Sequence, residues 1–531
     1  MIKKIELYDT TLRDGAQSEG ISFSVSDKLK ICEKLEELGV HFIEGGWPGA
    51  NPKDMEFFRK AARMKLCKRS RLVAFGSTCR SGAKASEDGI LKGLVASGTK
   101  YITIFGKTWD LHVTDVFKVS LEENLRMIKE SIRFLRSQDK TVFFDAEHFF
   151  DGYNSNKAYA LKALSAAEDA GADRIILCDT NGATITSRVF EIVGEVRRCI
   201  KTPLGIHVHN DSEMAVANSI AAVQAGCVQV QGTINGYGER CGNANLISVI
   251  ANLKLKLGVD CISSIALTEL TEVSHFIAEI CNMKLQDNQP FVGDSAFAHK
   301  AGVHVNAILK NPRTYEHVDP HLVGNRRRLL ISELSGKSTI LKKVEELDLD
   351  IGKDPDKSRK ILKVLQELEN KGYHFEAAEA SLELLMKRVM KKLTEYFKLK
   401  GFRVVIDRKS GGKMTSVATI ALKVGKKLEN TVSIGDGPVN ALDGALRKAL
   451  KKFYPKLADM HLTDYKVRVL DEKQGTAARV RVLVQSQDKN DSWWTIGVSE
   501  NVIEASWQAL VDSVEYKLMK DKTNLTAAVR R

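Results

Sequence analysis

The sequence lacks several features that would place it in a specialised class of protein. Its nine cysteines form no Cys-x-x-Cys pair, so they give no disulfide framework and fit reduced thiols in a cytoplasm. No apolar run reaches the length of a transmembrane helix, and the first residues lack the apolar core of a signal peptide. We therefore expect a cytoplasmic globular protein that does not bind a membrane.

The length and charge of the chain set broad limits on its organisation. With 531 residues, of which 43% are hydrophobic and 28% charged, two or three domains are expected. The net charge of +13 gathers largely between Met386 and Lys413 and raises the question of an anionic partner. No nucleic-acid-binding motif accompanies it, so a solvated basic helix is the better interpretation, and a nucleic-acid-binding protein is the weakest alternative.

From residue 4 to about residue 257, short β-branched apolar runs alternate with amphipathic helical patterns. Helices are predicted at Asp27–Leu38 and at Leu121–Arg136, the second opened by Ser120 with Glu123 in capping-box position. Eight strand–helix units predict a (β/α)8 or TIM barrel, with a doubly wound open sheet as the alternative. The predicted strands are Ile5–Thr11, Phe42–Trp47, Arg71–Ser77, Tyr101–Phe105, Thr141–Glu147, Arg174–Thr180, Leu204–Asp211 and Val228–Ile234.

We expect the barrel to occupy residues 1–270, followed by a helical linker region over 271–400 and a third domain over 401–525. The linker is predicted to contain the helices Pro355–Lys371, with Asp354 as N-cap, and Ala377–Phe397. The last domain contains a weak repeat, Thr415–Leu450 and Thr476–Val514, in which β-rich sequence runs into a helix. A pseudo-twofold α+β module with a regulatory or dimerisation role is therefore predicted.

Two histidines, His207 and His209, lie at i and i+2 of a predicted strand, so their side chains share one face. In a barrel the C-terminal strand ends form one rim, where polar residues of several strands meet. Asp14 is the most economical third ligand, giving two imidazoles and one carboxylate with open positions for a bidentate substrate such as an α-keto acid. Asn243 either binds the metal or a metal-bound water, or only structures its loop.

Four more rim residues have side chains suited to catalysis. Arg13 places a cation where an enolate or keto oxygen gains charge, and Thr180 offers a hydroxyl to a substrate carboxylate. Glu147, beside Phe144, is expected to meet an apolar wall that favours proton transfer. Glu44 is suited to either role or to an ion pair with Arg13. We expect Phe144 to line the keto-acid pocket.

Three motifs carry a resemblance to a known family: DTTLRDGAQ, HVHND and GYGERCGNAN. Together they resemble the metallolyase barrels that include the 2-isopropylmalate, homocitrate and citramalate synthases, over essentially the whole chain. Within that family, EGGWPGANPKD, FGKTWDLHV and AEHFFDGY most resemble the citramalate branch. The resemblance implies a Claisen condensation of acetyl-CoA with pyruvate, followed by thioester hydrolysis to (R)-citramalate and CoA.

The resemblance also implies roles for particular residues. Asp14, His207 and His209 would bind a divalent metal ion (Mn, Mg or Zn), while Arg13 and Glu147 would act at the reacting carbons. Two alternatives remain open: a related synthase that uses another 2-keto acid, and a non-haem iron oxygenase, which has the same ligand set. The Arg13–Asp14 pair and the eight-unit barrel favour the condensing enzyme.

Further expectations concern the part of the chain that follows the barrel. The segment SAFAHKAGVH resembles one that reaches an active site of the partner subunit, which makes His304 a candidate base or acid with Asn306 and Tyr315 nearby. The C-terminal domain resembles an allosteric domain, so a homodimer regulated by isoleucine is expected. Gly435–Pro438 and Gly497 are the candidate effector contacts.

Overall fold

A computed structural model describes residues 4–64, 69–330, 355–408, 412, 414–470, 478–489 and 491–529 of the chain. The chain forms two compact units. The first comprises Met1–Phe297 and His317–Arg327, and the second comprises Ala298–Glu316 and Arg328–Arg531. Among the described residues, no helix is long and apolar enough to cross a membrane.

The first unit is a closed barrel of eight parallel strands in sequence order, which confirms the predicted fold. Its strands are β1 Glu6–Asp9, β2 Phe42–Gly46, β3 Arg71–Ser77, β4 Tyr101–Lys107, β5 Thr141–Glu147, β6 Arg174–Asp179, β7 Leu204–Val208 and β8 Gln229–Gly232. Leu7 pairs with Val230, which closes β1 on β8. Strands β1, β7 and β8 are shorter than predicted, because the polar residues at their ends leave the ladder to form the rim.

One helix follows each strand. The helices are α1 Val25–Leu38, α2 Pro52–Met64, α3 Gly89–Ala96, α4 Leu121–Ser137, α5 Phe149–Asp169, α6 Thr186–Cys199, α7 Ala215–Ala225 and α8 Leu246–Leu255. Ser120 caps α4 as predicted, since its hydroxyl accepts the Glu123 amide at 3.1 Å. The return half of the predicted capping box is not formed, because the Glu123 carboxylate instead binds the Arg126 guanidinium and the Gly82 amide.

Aromatic side chains fill the interior of the barrel below its mouth. Tyr8, Phe42 and Phe143 form a buried cluster with Val73 and the half-buried Tyr101, and the rings of Phe42 and Phe143 meet edge to face at 5.1 Å. The interior below the mouth is therefore a packed core, as is usual for barrels of this type.

Phe144 is not a pocket wall, and that prediction was wrong. Because side chains alternate along β5, Phe144 points away from the interior that Phe143 fills, and it packs with Ile128 in the layer between strands and helices. The approach to the neighbouring strand is close: a Cβ on Gly106 would lie 2.8 Å from the Phe144 ring.

The elements between the barrel and the C-terminal domain are mostly short. In the first unit, α9 Ser264–Leu267 and α10 Leu270–Ile280 follow the barrel. In the second unit, β9 Ala298–His299 pairs with β10 Arg328–Leu329, and the helices are α11 Gly302–Lys310, α12 Pro355–Asn370 and α13 Glu379–Val389. The predicted helix Ala377–Phe397 is too long at its C-terminal end. Asp354 lies outside the described residues.

The predicted C-terminal repeat is present as two three-stranded antiparallel sheets, each followed by a helix. The first half is β11 Lys398–Arg408, β12 Met414–Val424, β13 Lys427–Gly435 and α14 Pro438–Lys451; the second is β14 His461–Val469, β15 Val480–Gln487, β16 Ser492–Ser499 and α15 Val502–Val529. Each half contains a first strand that the sequence prediction missed. Much of the basic stretch lies in β11, which corrects its interpretation as a solvated helix.

The position of Phe144 leads to a prediction about stability. Replacing a fully buried phenylalanine by alanine leaves a cavity, so Phe144→Ala is expected to lower the free energy of unfolding of the barrel by about 3–5 kcal/mol. Urea denaturation followed by circular dichroism measures this change. A loss below about 1 kcal/mol would place the ring in an open pocket instead.

Candidate metal centre

Three side chains from two parts of the rim meet at the barrel mouth. Asp14 lies in the turn after β1, His207 lies in β7, and His209 follows β7 by one residue. One potential ligand atom of each residue lies within 4.8 Å of the others, and His207 Nε2 is 3.4 Å from Asp14 Oδ2. The strand alternation predicted from the sequence therefore brings both imidazoles to the carboxylate.

The protonation states of this cluster suit a metal ion. Burial lowers the pKa of His207, and burial together with the His207 ring lowers the pKa of His209 to about 4. Burial acts to raise the pKa of Asp14, but the Arg13 guanidinium and the two imidazoles outweigh it and hold that pKa below its ordinary value. At neutral pH the cluster thus offers two neutral imidazoles and one carboxylate, which are the forms that bind divalent ions.

Arg13 holds two carboxylates at the edge of this cluster. Its Nη1 donates to Asp14 Oδ1 and its Nε to Glu44 Oε1, both at 2.5 Å, and the guanidinium lies 3.7 Å from the centre of the Phe75 ring. Glu44 is fully buried and also accepts hydrogen bonds from the hydroxyls of Tyr8 and Thr10. Glu44 is therefore the ion-pair partner of Arg13. It does not line the cavity, so the structure does not bring it to where it could contact a substrate directly.

Asn243 supplies a test of whether a metal ion fits. Its backbone forms an isolated bridge with His209, and its Nδ2 donates to the Tyr237 carbonyl at 3.2 Å. Its Oδ1 is buried and has no hydrogen-bond partner within the described chain. A buried amide oxygen without a donor is costly, so this atom fits a role as ligand to an ion or its water.

The two imidazoles differ in what faces their second nitrogen. Arg240 Nη2 lies 2.8 Å from His209 Nδ1, and since a guanidinium only donates, this nitrogen is an acceptor. Arg240 is itself held by Asp211 at 2.8 and 2.9 Å and by the Thr180 carbonyl at 2.8 Å. In the neutral His209 ring the proton therefore lies on Nε2, and binding of an ion through Nε2 would require that proton to move.

A cavity of about 260 Å³ opens above the cluster. Three aromatic side chains form one wall, with the Trp47 ring edge-on to those of Phe75 and Phe105 at 5.9 and 5.8 Å. The residues that line the cavity are Arg13, Asp14, Gln17, Trp47, Phe75, Phe105, Asp145, Glu147, Cys178, Thr180, His207, His209, Glu239 and Arg240. Six of these were predicted as site residues from the sequence: Arg13, Asp14, Glu147, Thr180, His207 and His209.

Glu147 and Thr180 have surroundings that the sequence did not predict. The Lys107 ammonium forms an ion pair with the Glu147 carboxylate, so the apolar wall expected around Glu147 is not what surrounds it. Thr180 Oγ1 accepts the His148 amide at 2.8 Å, which fixes its hydroxyl oxygen at the rim.

The remaining predicted residues belong to the second unit. His304 and Asn306 lie on α11 and are exposed, and the His304 ring stacks on Tyr315 with 4.1 Å between ring centres. The structure therefore brings His304 and Tyr315 together within that unit.

Sequence reasoning placed Phe105 at the keto-acid pocket but missed Trp47 and Phe75 of the aromatic wall and a buried glutamine, Gln231. Both carried a detectable signal. Phe75 and Phe105 occupy inward positions near the C-terminal ends of their strands, where alternation places them at the mouth. Gln231 is a polar residue at an inward position of β8, and a buried amide needs hydrogen-bond partners.

The family model described as HMGL-like matches residues 4–277. The model described as homocitrate synthase post-HMGL domain-like matches residues 291–372, and that of the LeuA allosteric (dimerisation) domain matches residues 376–518. A (β/α)8 barrel with a candidate metal site at its mouth, followed by such domains, defines the class of protein. The chain belongs to the HMGL-like family, in the group with a C-terminal LeuA-type domain.

Individual relatives match almost the full length of the chain. The (R)-citramalate synthase of Aquifex aeolicus is 54% identical over 98% of this chain and 99% of its own length. That of Geobacter sulfurreducens is 54% identical, covering 98% of both chains. A 2-isopropylmalate synthase of Methanocaldococcus jannaschii is 32% identical over 97% of this chain and 95% of its own.

The lowered pKa of His209 is open to direct measurement. In metal-free protein the C2 proton of His209, assigned with a His209→Gln variant, is expected to keep its neutral-form chemical shift at pH 6 and to titrate near pH 4. The pKa of a histidine in an unfolded chain is about 6.5. Acidification below that pH therefore protonates the unfolded chain first and destabilises the folded barrel. A midpoint at or above 6.5 in the NMR titration would contradict the buried, neutral imidazole.

Proposed function

We propose that this protein is an (R)-citramalate synthase that condenses acetyl-CoA with pyruvate and water to (R)-citramalate and CoA. The relatives at 54% identity bear that name, whereas the 2-isopropylmalate synthase is 32% identical. The eight cysteines in the described residues are free thiols, which supports action in the cytoplasm.

The lining of the cavity is the observation that most supports pyruvate as the substrate. The same cavity is lined by the Asp14, His207 and His209 cluster and by the aromatic wall of Trp47, Phe75 and Phe105. A keto acid held at the cluster by its keto and carboxylate oxygens would direct its side chain to that wall. Rigid aromatic rings leave room for a small apolar group, so pyruvate, with a methyl group, is the expected substrate.

A divalent metal ion (Mn, Mg or Zn), held by Asp14, His207 and His209 with Asn243 beside them, would supply Lewis-acid polarisation of the substrate ketone. Arg13 acts on the same oxygen. Its guanidinium has five N–H donors, of which Nη1 and Nε engage Asp14 and Glu44. Because Glu44 fixes the guanidinium, Arg13 can stabilise the keto oxygen as it becomes an alkoxide without reorganising.

Glu147 is the proposed base for the acetyl methyl group. It lines the cavity and is held by the Lys107 ammonium. Removal of the methyl proton gives an enolate whose carbon bonds to C2 of pyruvate, and the ketone oxygen then takes up a proton. Water next cleaves the thioester, releasing CoA as the leaving thiol and leaving the second carboxylate of citramalate.

The closest rival is a synthase that uses 2-ketoisovalerate or 2-ketoglutarate. The second carboxylate of 2-ketoglutarate needs its own cation. Among the described lining residues the cations are Arg13 and Arg240, and both are already bound to carboxylates. The rigid rings of the aromatic wall would crowd the branched side chain of 2-ketoisovalerate, so pyruvate remains the better fit.

A panel of keto acids tests this specificity. Released CoA, measured with a thiol reagent, is expected to give the highest kcat/KM with pyruvate. Phe105→Ala removes part of the wall and is expected to raise the kcat/KM ratio of 2-ketobutyrate to pyruvate about 10-fold or more, since one methylene accounts for roughly 10–200-fold.

The matched control is Phe144→Leu, which alters a phenylalanine on the outer side of the neighbouring strand and is expected to leave the ratio unchanged. A higher kcat/KM of the wild type with any other keto acid would refute the pyruvate assignment.

Exchange of the acetyl methyl protons with solvent deuterium identifies the base. Glu147→Gln is expected to abolish exchange, because an amide cannot accept the proton, while His304→Gln retains it. Mass spectrometry of recovered acetyl-CoA provides the measurement. Exchange retained in Glu147→Gln and lost in His304→Gln would assign the base to His304, the alternative candidate.

The sheet of β11, β12 and β13 has an exposed apolar face. Leu428, Val432 and Ile434 are 60%, 47% and 70% exposed at alternate positions of β13, and Val417 of β12 registers with Ile434. The other face packs on α14 through residues such as Ile420. We propose that a second copy of the chain covers this face in a homodimer, as the dimerisation function of LeuA-type domains would require.

Light scattering after size-exclusion chromatography tests the dimer. The wild type is expected at twice the chain mass of 58.9 kDa, and Ile434→Lys at one chain mass, because a buried lysine at an apolar interface lacks a partner. Ile265→Lys, at a residue that is 81% exposed on the first unit, is the control and should remain dimeric. A dimeric Ile434→Lys protein would exclude this face as the interface.

Isoleucine is the proposed effector of the C-terminal domain, with Gly435–Pro438 and Gly497 as candidate contacts. The structure gives two of these glycines a packing reason as well. A Cβ on Gly435 would clash with Asn440 Oδ1, and one on Gly497 would clash with the Ala505 carbonyl. Near its end, each strand therefore lies close to the helix that follows it. A ligand bound at such a place could shift the helix relative to the strand.

A further inference from the structure

A chain of hydrogen bonds runs from β5 through β8 to the metal ligand on β7. Gln231 Nε2 donates to Asp145 Oδ1 at 3.2 Å, and Gln231 Oε1 lies 3.0 Å from His207 Nδ1. Gln231 and His207 are register neighbours on adjacent strands. All three side chains are buried, with Gln231 fully enclosed. No step of the proposed mechanism uses Gln231 or Asp145.

The order of donors and acceptors in this chain determines the tautomer of His207. Asp145 Oδ1 accepts the amide proton whether or not Oδ2 carries a proton, and this turns the amide oxygen of Gln231 towards the imidazole. An amide oxygen only accepts, so His207 Nδ1 must carry the ring proton. The lone pair of the neutral ring then lies on Nε2, the nitrogen that faces Asp14 at 3.4 Å.

The geometry points to Gln231, oriented by Asp145, as a positioning residue that prepares His207 for a divalent metal ion. This inference rests on the proposed metal site. Gln231 accepts a hydrogen bond from His207 Nδ1 and so leaves His207 Nε2 without a proton. His209 Nδ1 faces a donor, the Arg240 guanidinium, which leaves the ring proton of His209 on Nε2. His207 is thus the imidazole whose Nε2 is already free to bind an ion.

The cost of losing this contact follows from the alternative tautomer. With the ring proton on Nε2, an N–H group points at the space between His207 and Asp14 and opposes an ion. Partners of this kind outside the ligand shell typically account for 10–100-fold in metal affinity. Gln231→Met, which keeps the length of the side chain but has no acceptor oxygen, is expected to weaken metal binding by that factor.

The chain offers a matched control two residues away. Gln229 lies on the same strand and the same face, is also fully buried, and donates to Glu6 Oε2 at 3.3 Å at the opposite end of the barrel. Gln229→Met therefore makes the same chemical change at the same burial, away from His207. Gln231→Glu is the conservative variant, because a carboxyl oxygen can still accept from His207 Nδ1.

The experiment measures Mn²⁺ affinity of metal-stripped full-length protein by isothermal titration calorimetry. We expect Gln231→Met to bind 10–100-fold more weakly, and Gln229→Met and Gln231→Glu to bind within a few-fold of the wild type. Side-chain ¹⁵N NMR of histidine-labelled, metal-free protein supplies a second readout: the wild type should show the His207 proton on Nδ1, and Gln231→Met should show a mixture or the Nε2 form.

The outcomes separate this inference from the metal site itself. Wild-type affinity in Gln231→Met, or an Nε2-protonated His207 in the wild type, overturns the positioning role. Equal losses in Gln231→Met and Gln229→Met, or no recovery in Gln231→Glu, show a merely structural effect and also overturn it. If His207→Ala binds Mn²⁺ as the wild type does, the proposed metal site fails, whatever the glutamine variants show.

Discussion

The site depends on the packing of opposite charges and neutral imidazoles at the barrel mouth, where Asp14, Glu44 and His207 are buried. Asp14 and Glu44 contribute two carboxylates and Arg13 one guanidinium, and both carboxylates contact that guanidinium at 2.5 Å. With the imidazoles of His207 and His209 neutral, the cluster keeps one uncompensated negative charge. Buried charge without a partner is costly, so a divalent cation bound here would balance the remaining negative charge.

The barrel makes this cluster possible because it brings distant segments of the chain to one rim. Two structural rules sufficed to predict much of this from the sequence. Alternation along β7 placed His207 and His209 on one face, and closure of eight strands placed Asp14 beside them. The fold class and the three potential ligands followed from these rules and from short motifs, since both concern backbone geometry rather than packing.

The wrong predictions concern side chains whose surroundings depend on packing and on hydrogen-bond partners. Phe143 and Phe144 are adjacent residues of the same type, and only the register of β5 determines which of the two rings enters the barrel interior. Glu147 was expected in apolar surroundings, but Lys107, forty residues earlier in the chain, reaches it across adjacent strands. The Gln231 contact was missed for the same reason. A side chain's role depends on which partner lies opposite it, and the register of neighbouring strands sets that partner.

Asp14 is proposed to join the two imidazoles of His207 and His209 in holding one divalent ion. Equilibrium dialysis of Mn²⁺ against metal-stripped protein measures this binding. We predict one ion per chain for the wild type and a loss of about 10-fold or more in affinity for Asp14→Asn, which keeps the shape of the side chain and removes its charge. Unchanged stoichiometry and affinity in Asp14→Asn would show that Asp14 does not hold the ion.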